Sequence, residues 1–192
     1  MRKIFATALI ALAAVSAMAQ PAAPGNEKKG ELTFTTIKEN PITPIKNQYR
    51  SGTCWCFSTL SFLESELIRM GKGEQDLSEM FVVSQCYKDK ADKYVRLHGD
   101  LNFAQGGSFI DPLYVWKKYG IVPEEVMKGL NYGEDMHAHS EMESAAAAYL
   151  GAIIKNPNRK LSTAWKRGFD GIIDAYLGEA PAQFTYQGKE YT

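Results

Sequence analysis

The sequence predicts an α+β fold with its helices first and its strands last. Apolar residues recur at the spacing of amphipathic helices through most of residues 54–177. Residues 184–186 and 190–192 have the pattern of a strand and of the opening of a second strand, with a turn at 187–189 between them. Helices followed by strands are the arrangement of an α+β domain.

Five helices are predicted from apolar periodicity and from start and stop residues. The first follows a turn at residues 51–53, which supplies an N-cap candidate, and ends at Gly71. Its apolar residues exceed one narrow stripe, which predicts that it is the central buried helix. The second begins after Ser78 as N-cap and extends to about residue 89. The other three are predicted at residues 110–119, 141–154 and 161–177.

The N-terminus has the pattern of a secretory signal peptide. Basic residues, a short apolar run and a small-x-small cleavage pattern follow one another within residues 1–19. We therefore expect this segment to be removed and the protein to be exported, either periplasmic or secreted. Residues 20–39 are predicted to form a leader, with a short strand at 32–37.

The charge balance excludes two classes of partner. The chain has 22 basic and 22 acidic side chains, which gives a formal net charge of zero. Nucleic acids and anionic membranes attract proteins through a concentrated positive field, so we expect neither as a partner. With 45% hydrophobic residues, the composition is that of a globular protein.

The three cysteines, Cys54, Cys56 and Cys86, leave at least one thiol unpaired, because an odd number cannot all form disulfides. Cys54 lies at a predicted loop-to-helix junction, where unpaired backbone N–H groups and the helix dipole stabilise a thiolate. This position predicts that Cys54 is a nucleophile, whereas Cys56 and Cys86 are predicted core residues. A thiol redox pair of Cys54 and Cys56 is a weaker alternative, because a Cys-x-Cys on a helix holds its sulfur atoms poorly for bridging.

No metal and no cofactor are expected from the histidines. His98, His137 and His139 do not combine with the cysteines at the spacing of a zinc site. His98 is predicted to be a loop histidine. His137 and His139 fall in a predicted surface insertion, so we do not nominate either of them for the active site.

Three segments, in order, resemble the papain-like cysteine peptidases. Residues 48–58 carry Gln-x5-Cys-Trp-x-Phe-Ser, which resembles the active-site region of that family. Residues 77–86 resemble its second helix, and Gly106-Gly107 resembles its substrate-binding strip. The Tyr-Gly-Ile-Val-Pro segment that begins at Tyr119 is most similar to the branch of bleomycin hydrolase and aminopeptidase C. The resemblance implies a papain-like fold, represented here mainly by its helical half.

The resemblance also implies roles for individual residues. Cys54 would attack the scissile carbonyl, and Gln48 would donate its side-chain N–H to the oxyanion together with the backbone N–H of Cys54. Trp55 would shield the nucleophile from water. Gly106 and Gly107 would pair with the backbone of an extended substrate. The expected substrates are therefore peptides, and the family further suggests a homo-oligomer.

One part of a papain-like site is absent from this sequence. Such peptidases need a histidine as base and an asparagine that orients it, far downstream of the nucleophile, and no histidine follows His139. We therefore predict that residues 40–140 form the helical half with the nucleophile, 141–181 a helical insertion, and 182–192 the start of a truncated β-rich half.

Two hypotheses for function follow. The first is a cysteine peptidase that hydrolyses peptide bonds through the Cys54 thiol, with an aminopeptidase-like preference. The alternative is a truncated or partner-dependent module that lacks the catalytic histidine and asparagine and is inactive alone. Rapid labelling of Cys54 by thiol reagents at neutral pH distinguishes them, because it requires a base beside the thiol.

Overall fold

Five helices followed by a hairpin make up the computed structural model, which describes residues 34–157 and 160–192. The predicted signal peptide and most of the predicted leader lie outside the described residues. Residues 39–192 form one unit by their contacts, and every contact discussed below lies within it. The elements are α1 (Cys54–Arg69), α2 (Glu79–Arg96), α3 (Ile110–Tyr119), α4 (Ser140–Ile154), α5 (Ala164–Leu177), β1 (Phe184–Tyr186) and β2 (Lys189–Tyr191).

The helices begin and end close to their predicted limits, with two differences. Ser78 is the N-cap of α2 as predicted, and its Oγ accepts a hydrogen bond from Phe81 N at 3.0 Å. However, α2 continues to Arg96, beyond the predicted end, because Ala91 and Val95 keep its inner face in the core. Helix α5 begins at Ala164, later than predicted.

Helix α2 is the central helix of the fold, and the prediction that α1 is central was wrong. Every residue from 79 to 87 of α2 is buried, so this half of the helix is enclosed on all sides. In contrast, α1 leaves Phe62 54% exposed. Helices α4 and α5 pack on α2 through Met142, Ala146, Leu150, Phe169, Ile173 and Leu177. No helix in the described ranges has the length and apolar character needed to cross a membrane.

A buried cluster of charges attaches the segment before the first helix to the core. Lys46 Nζ lies 3.2 Å from Glu64 Oε1, 2.9 Å from Glu79 Oε1 and 2.6 Å from Asp76 Oδ1. Thr43 Oγ1 donates to Glu64 Oε2 at 2.5 Å. Burial alone lowers the pKa of Lys46, but the neighbouring carboxylates dominate and raise it above its usual range. The cluster fixes the chain just before Gln48.

The two strands form a complete hairpin, although the sequence predicted only the opening of the second strand. They pair antiparallel, with Phe184 opposite Tyr191. Gln187 and Gly188 have φ of 48° and 74°, the left-handed conformation that a tight hairpin turn needs. The strand predicted at 32–37 is wrong for its described residues, 34–37, which form no strand. An alternating pattern alone cannot make a strand where no second strand pairs with it.

Candidate active site

Residues 47–53, here called the nucleophile loop, turn the chain between Gln48 and Cys54. Ser51 N donates to Gln48 O at 3.2 Å. Two residues of the loop are left-handed, with φ of 47° at Tyr49 and 63° at Gly52. This conformation is uncommon for tyrosine, and here Tyr49 N donates to Asn47 Oδ1 at 2.9 Å, an Asx-turn that supports it. Gln48 and Cys54 therefore lie at the two ends of a tight turn, whose conformation is fixed by these hydrogen bonds and left-handed residues.

Cys54 is the first residue of α1 and is exposed. Thr53 is the N-cap residue by position, but its side chain makes no cap, which corrects the predicted N-cap. Instead, its buried hydroxyl lies 2.5 Å from Ser51 Oγ. Within the described residues no side chain caps this end of α1, so Cys54 lies at the uncapped, positive end of the helix dipole.

The three thiols are all free, and they differ in environment. Cys56 is fully buried, and its Sγ donates to Glu79 O at 3.5 Å. Burial raises the pKa of the Cys56 thiol well above its usual value and that of Cys86 to about 11. Only Cys54 is therefore accessible to a substrate. A redox pair of Cys54 and Cys56 is disfavoured, because one thiol faces solvent and the other faces the core.

Residues 105–107, here called the glycine strip, lie against Trp55. The indole Nε1 donates to Gln105 O at 2.9 Å. A Cβ at Gly107 would lie 2.6 Å from two ring atoms of Trp55, so only glycine fits there. At Gly106, a Cβ would meet no described atom within 4 Å. Trp55 thus joins the helix that carries Cys54 to the strip, and the space beside Gly106 is open.

His137 and His139 do not lie in a surface insertion, and this prediction was wrong. Arg50 N donates to His137 O at 3.0 Å, and His139 N donates to Arg50 O at 3.3 Å, so this segment pairs with the nucleophile loop. His139 is fully buried. Burial lowers the pKa of His137 and, together with the charge of His137, lowers that of His139 to about 4. No local pattern indicated this pairing, because the two segments are far apart in sequence.

One further residue that the sequence did not single out, Glu143, contacts the strip. Gln105 N donates to Glu143 Oε1 at 3.3 Å, and Gln105 Nε2 donates to Glu143 Oε2 at 2.5 Å. Glu143 lies in the first turn of α4. In the part of the chain that the structure describes, no group of three or more His, Cys, Asp or Glu side chains could hold a metal ion.

An exposed thiol at a bare helix N-terminus, beside a glycine strip, is the arrangement of a cysteine peptidase. The model of the papain family cysteine proteases matches residues 32–165, and the chain belongs to this family. The predicted resemblance and the predicted papain-like α+β fold are both confirmed.

Individual relatives agree with this assignment. The chain is 30% identical over 120 residues to aminopeptidase G of Lactobacillus delbrueckii subsp. lactis. The matched stretch covers 51% of this chain and 26% of the relative. It is 24% identical over 123 residues to the mitochondrial cysteine proteinase 1 of Saccharomyces cerevisiae. That match covers 55% of this chain and 26% of the relative. The crystal structure of PepW from Lactobacillus rhamnosis has the same fold, with a TM-score of 0.58, 21% identity, and coverage of 79% of this chain and 40% of that one. The chain thus spans about a quarter of the length of these two curated relatives.

The relatives overturn the predicted export. Aminopeptidase G, PepW and the yeast proteinase, which is named as mitochondrial, are enzymes of the cell interior. The prediction of a periplasmic or secreted protein was therefore wrong. It depended only on the composition of residues 1–19, which lie outside the described residues.

Proposed function

We propose that this chain carries the nucleophile and the oxyanion donors of a peptide-hydrolysing enzyme with an aminopeptidase-like preference. The observation that carries the proposal is the environment of Cys54, the one exposed thiol, at an uncapped helix N-terminus beside the glycine strip. The membership in the papain family supports the reaction class. The name of aminopeptidase G supports the exopeptidase preference.

In the proposed reaction, the Cys54 sulfur attacks the carbonyl carbon of the scissile bond while the thiol proton passes to a base. The Gln48 side chain and the backbone N–H of Cys54 donate to the oxyanion, and losing one such donor costs about 2.7–4 kcal/mol of transition-state stabilisation. The amine then leaves with a proton, and water hydrolyses the acyl-enzyme. The strip holds the substrate backbone at Gly106.

We assign the base to a residue outside this chain. His139 is buried under the nucleophile loop, and His98 follows the far end of α2. The ring of His137 packs against Phe57, with 5.8 Å between ring centroids. None of these three imidazoles makes a hydrogen bond to the Cys54 thiol among the described residues.

A second candidate function is a module that is inactive by itself. It is favoured by the exposed face of α1, where Trp55, Phe62 and Phe109 border an open apolar hollow of about 320 Å³. Iodoacetamide labelling of the isolated chain tests this candidate. A rate typical of an ordinary thiol supports it, whereas rapid and stoichiometric labelling of Cys54 at neutral pH counts against it.

The test of the main proposal uses the full reading frame that contains this chain. We expect hydrolysis of aminoacyl fluorogenic substrates, and a loss of at least about 10³-fold in kcat/KM for Cys54→Ala. Cys56→Ala is the matched control, since it removes a buried thiol from the same helix. Turnover that survives Cys54→Ala would overturn the thiol mechanism. Equal rates on N-blocked peptides would remove the aminopeptidase preference.

A further inference from the structure

One short segment contacts both halves of the candidate site. Residues 137–143, here called the clasp, connect the loop after residue 129 to the first turn of α4. At one end the clasp pairs with Arg50 of the nucleophile loop through two backbone hydrogen bonds. At the other end Glu143 binds Gln105 of the glycine strip.

The Glu143 end is built for a fixed geometry. Both carboxylate oxygens are used, one on the backbone N–H and one on the side-chain amide of Gln105. Hydrogen bonds to an ionised acceptor are stronger than neutral ones. The position of Glu143 in the first turn of α4 adds the favourable field of the helix N-terminus.

Gln105 in turn connects three elements. Its carbonyl accepts from the Trp55 indole. Its side chain lies against the nucleophile loop, where a Cβ at Gly52 would be 2.7 Å from Gln105 Oε1. Fixing Gln105 therefore fixes the distance between the strip and the helix that carries Cys54.

The Arg50 end is anchored by burial. Ala138 forms a parallel bridge with Arg50, and the His139 side chain next to it is fully buried. The Tyr132 ring packs edge-on to His139 with 6.4 Å between centroids, and Tyr132 Oη accepts from Ala138 N at 3.1 Å. This end of the clasp is therefore held by the core and is not a free surface loop.

We propose that the clasp sets the register between the nucleophile and the bound peptide backbone, with Glu143 as a positioning residue. The proposal rests on the proposed function, because it assumes that the strip binds substrate. A register error of about 1 Å at a reacting centre can cost on the order of 100-fold in rate. Losing Glu143 should therefore impair reactions that use the strip and spare those that use only the thiol.

The test compares two alkylating reagents on the isolated chain. Iodoacetamide reports the thiol alone, whereas a dipeptidyl chloromethyl ketone must also occupy the strip. In the wild type we expect a preference for the dipeptidyl reagent. Glu143→Ala should reduce that preference by about tenfold, and Glu143→Gln, which keeps one of the two acceptor oxygens for Gln105, should recover part of it.

Glu141→Ala is the matched control. Glu141 lies in the same helical turn, carries the same charge and accepts from Tyr176 Oη at 2.7 Å, but it does not contact the strip. We expect this variant to keep the wild-type preference within about twofold. An undiminished preference in Glu143→Ala would overturn the proposal.

Hydrogen exchange separates the clasp from the proposed function. In Glu143→Ala the Gln105 amide should exchange about tenfold faster, while amides of α2 and α5 keep their protection and show that the variant is folded. If the wild type shows no preference for the dipeptidyl reagent, the substrate role of the strip fails. Hydrogen exchange alone then tests whether Glu143 holds the strip in place. Faster exchange of the Gln105 amide in Glu143→Ala supports this role, and unchanged exchange overturns it.

Discussion

The two faces of α1 each carry a cysteine, and the two cysteines have opposite environments. Cys54 and Phe62 lie on the exposed face, and Cys56, Leu60 and Glu64 lie on the buried face. On the buried face a thiol becomes an inert core group and a carboxylate must be paired with a cation. On the exposed face the thiol is accessible and an aromatic ring remains uncovered. Position on the helix, rather than residue type, therefore decides which cysteine can react.

The largest effect is expected from Lys46→Met, which breaks the pairing on the buried face. Glu64 and Glu79 would keep their burial and lose their shared cation, which costs about 3–5 kcal/mol of unfolding free energy. Urea unfolding measures the change. Lys166→Met is the control, because its pair with Asp92 at 3.6 Å is exposed and should contribute less than about 1 kcal/mol. If the two variants lost equal free energy of unfolding, the claim that Lys46 compensates buried carboxylates would be contradicted.

A smaller effect is expected from the titration of two buried carboxyls, Glu79 in that cluster and Glu124 near it. Burial raises the pKa of Glu79 from 4.5 to about 7 and that of Glu124 from 4.5 to about 8. The folded state thus holds protons that the unfolded state releases, so stability that is present below pH 4.5 is lost as the pH rises through these values. His139 acts in the opposite direction, because burial lowers its pKa and the unfolded state is then the more protonated one; its contribution rises with pH through the ordinary histidine value of 6.5 and is constant well above it.

Glu124→Gln tests this dependence. The variant should be more stable than the wild type by about 1–2 kcal/mol at pH 8 and should show a smaller loss between pH 6.5 and pH 8. The measurement is the urea midpoint across that range. If Glu124→Gln and the wild type lost stability equally over this range, Glu124 would be ionised in the folded protein and the prediction would be wrong.

The two neighbouring glycines of the strip are expected to differ in their tolerance of a side chain, because only Gly107 lies against Trp55. Gly107→Ala should destabilise the fold by about 1–3 kcal/mol, because the added Cβ overlaps the indole ring. Gly106→Ala should change stability by less than about 0.5 kcal/mol, because the space beside it is open. Thermal unfolding of both variants measures the difference. If Gly106→Ala were as destabilising as Gly107→Ala, the open side of Gly106 would be contradicted.

Local patterns predicted the elements that depend on local physics. The start of α1 at Cys54 and the limits of α3 follow from helical spacing, and the start of α2 follows from the Ser78 cap. The different faces of Cys54 and Cys56 follow from their separation by two positions on one helix. The hairpin turn follows from Gly188.

The remaining features depend on partners that are distant in sequence. The Lys46 cluster joins residues from three separate segments, and each carboxylate alone has the pattern of an ordinary surface charge. The pairing of Arg50 with Ala138 has no periodic signal, because it involves one residue from each segment. For the same reason the sequence placed His139 at the surface, although the fold buries it.

The measurement that tests the central claim most directly is a peptide map of the native chain after limited alkylation with iodoacetamide at neutral pH. Our account predicts that the first equivalent of label is found on Cys54, and that Cys56 and Cys86 react only after unfolding in urea. Labelling of Cys56 or Cys86 at a rate comparable to that of Cys54 in the folded chain would contradict it.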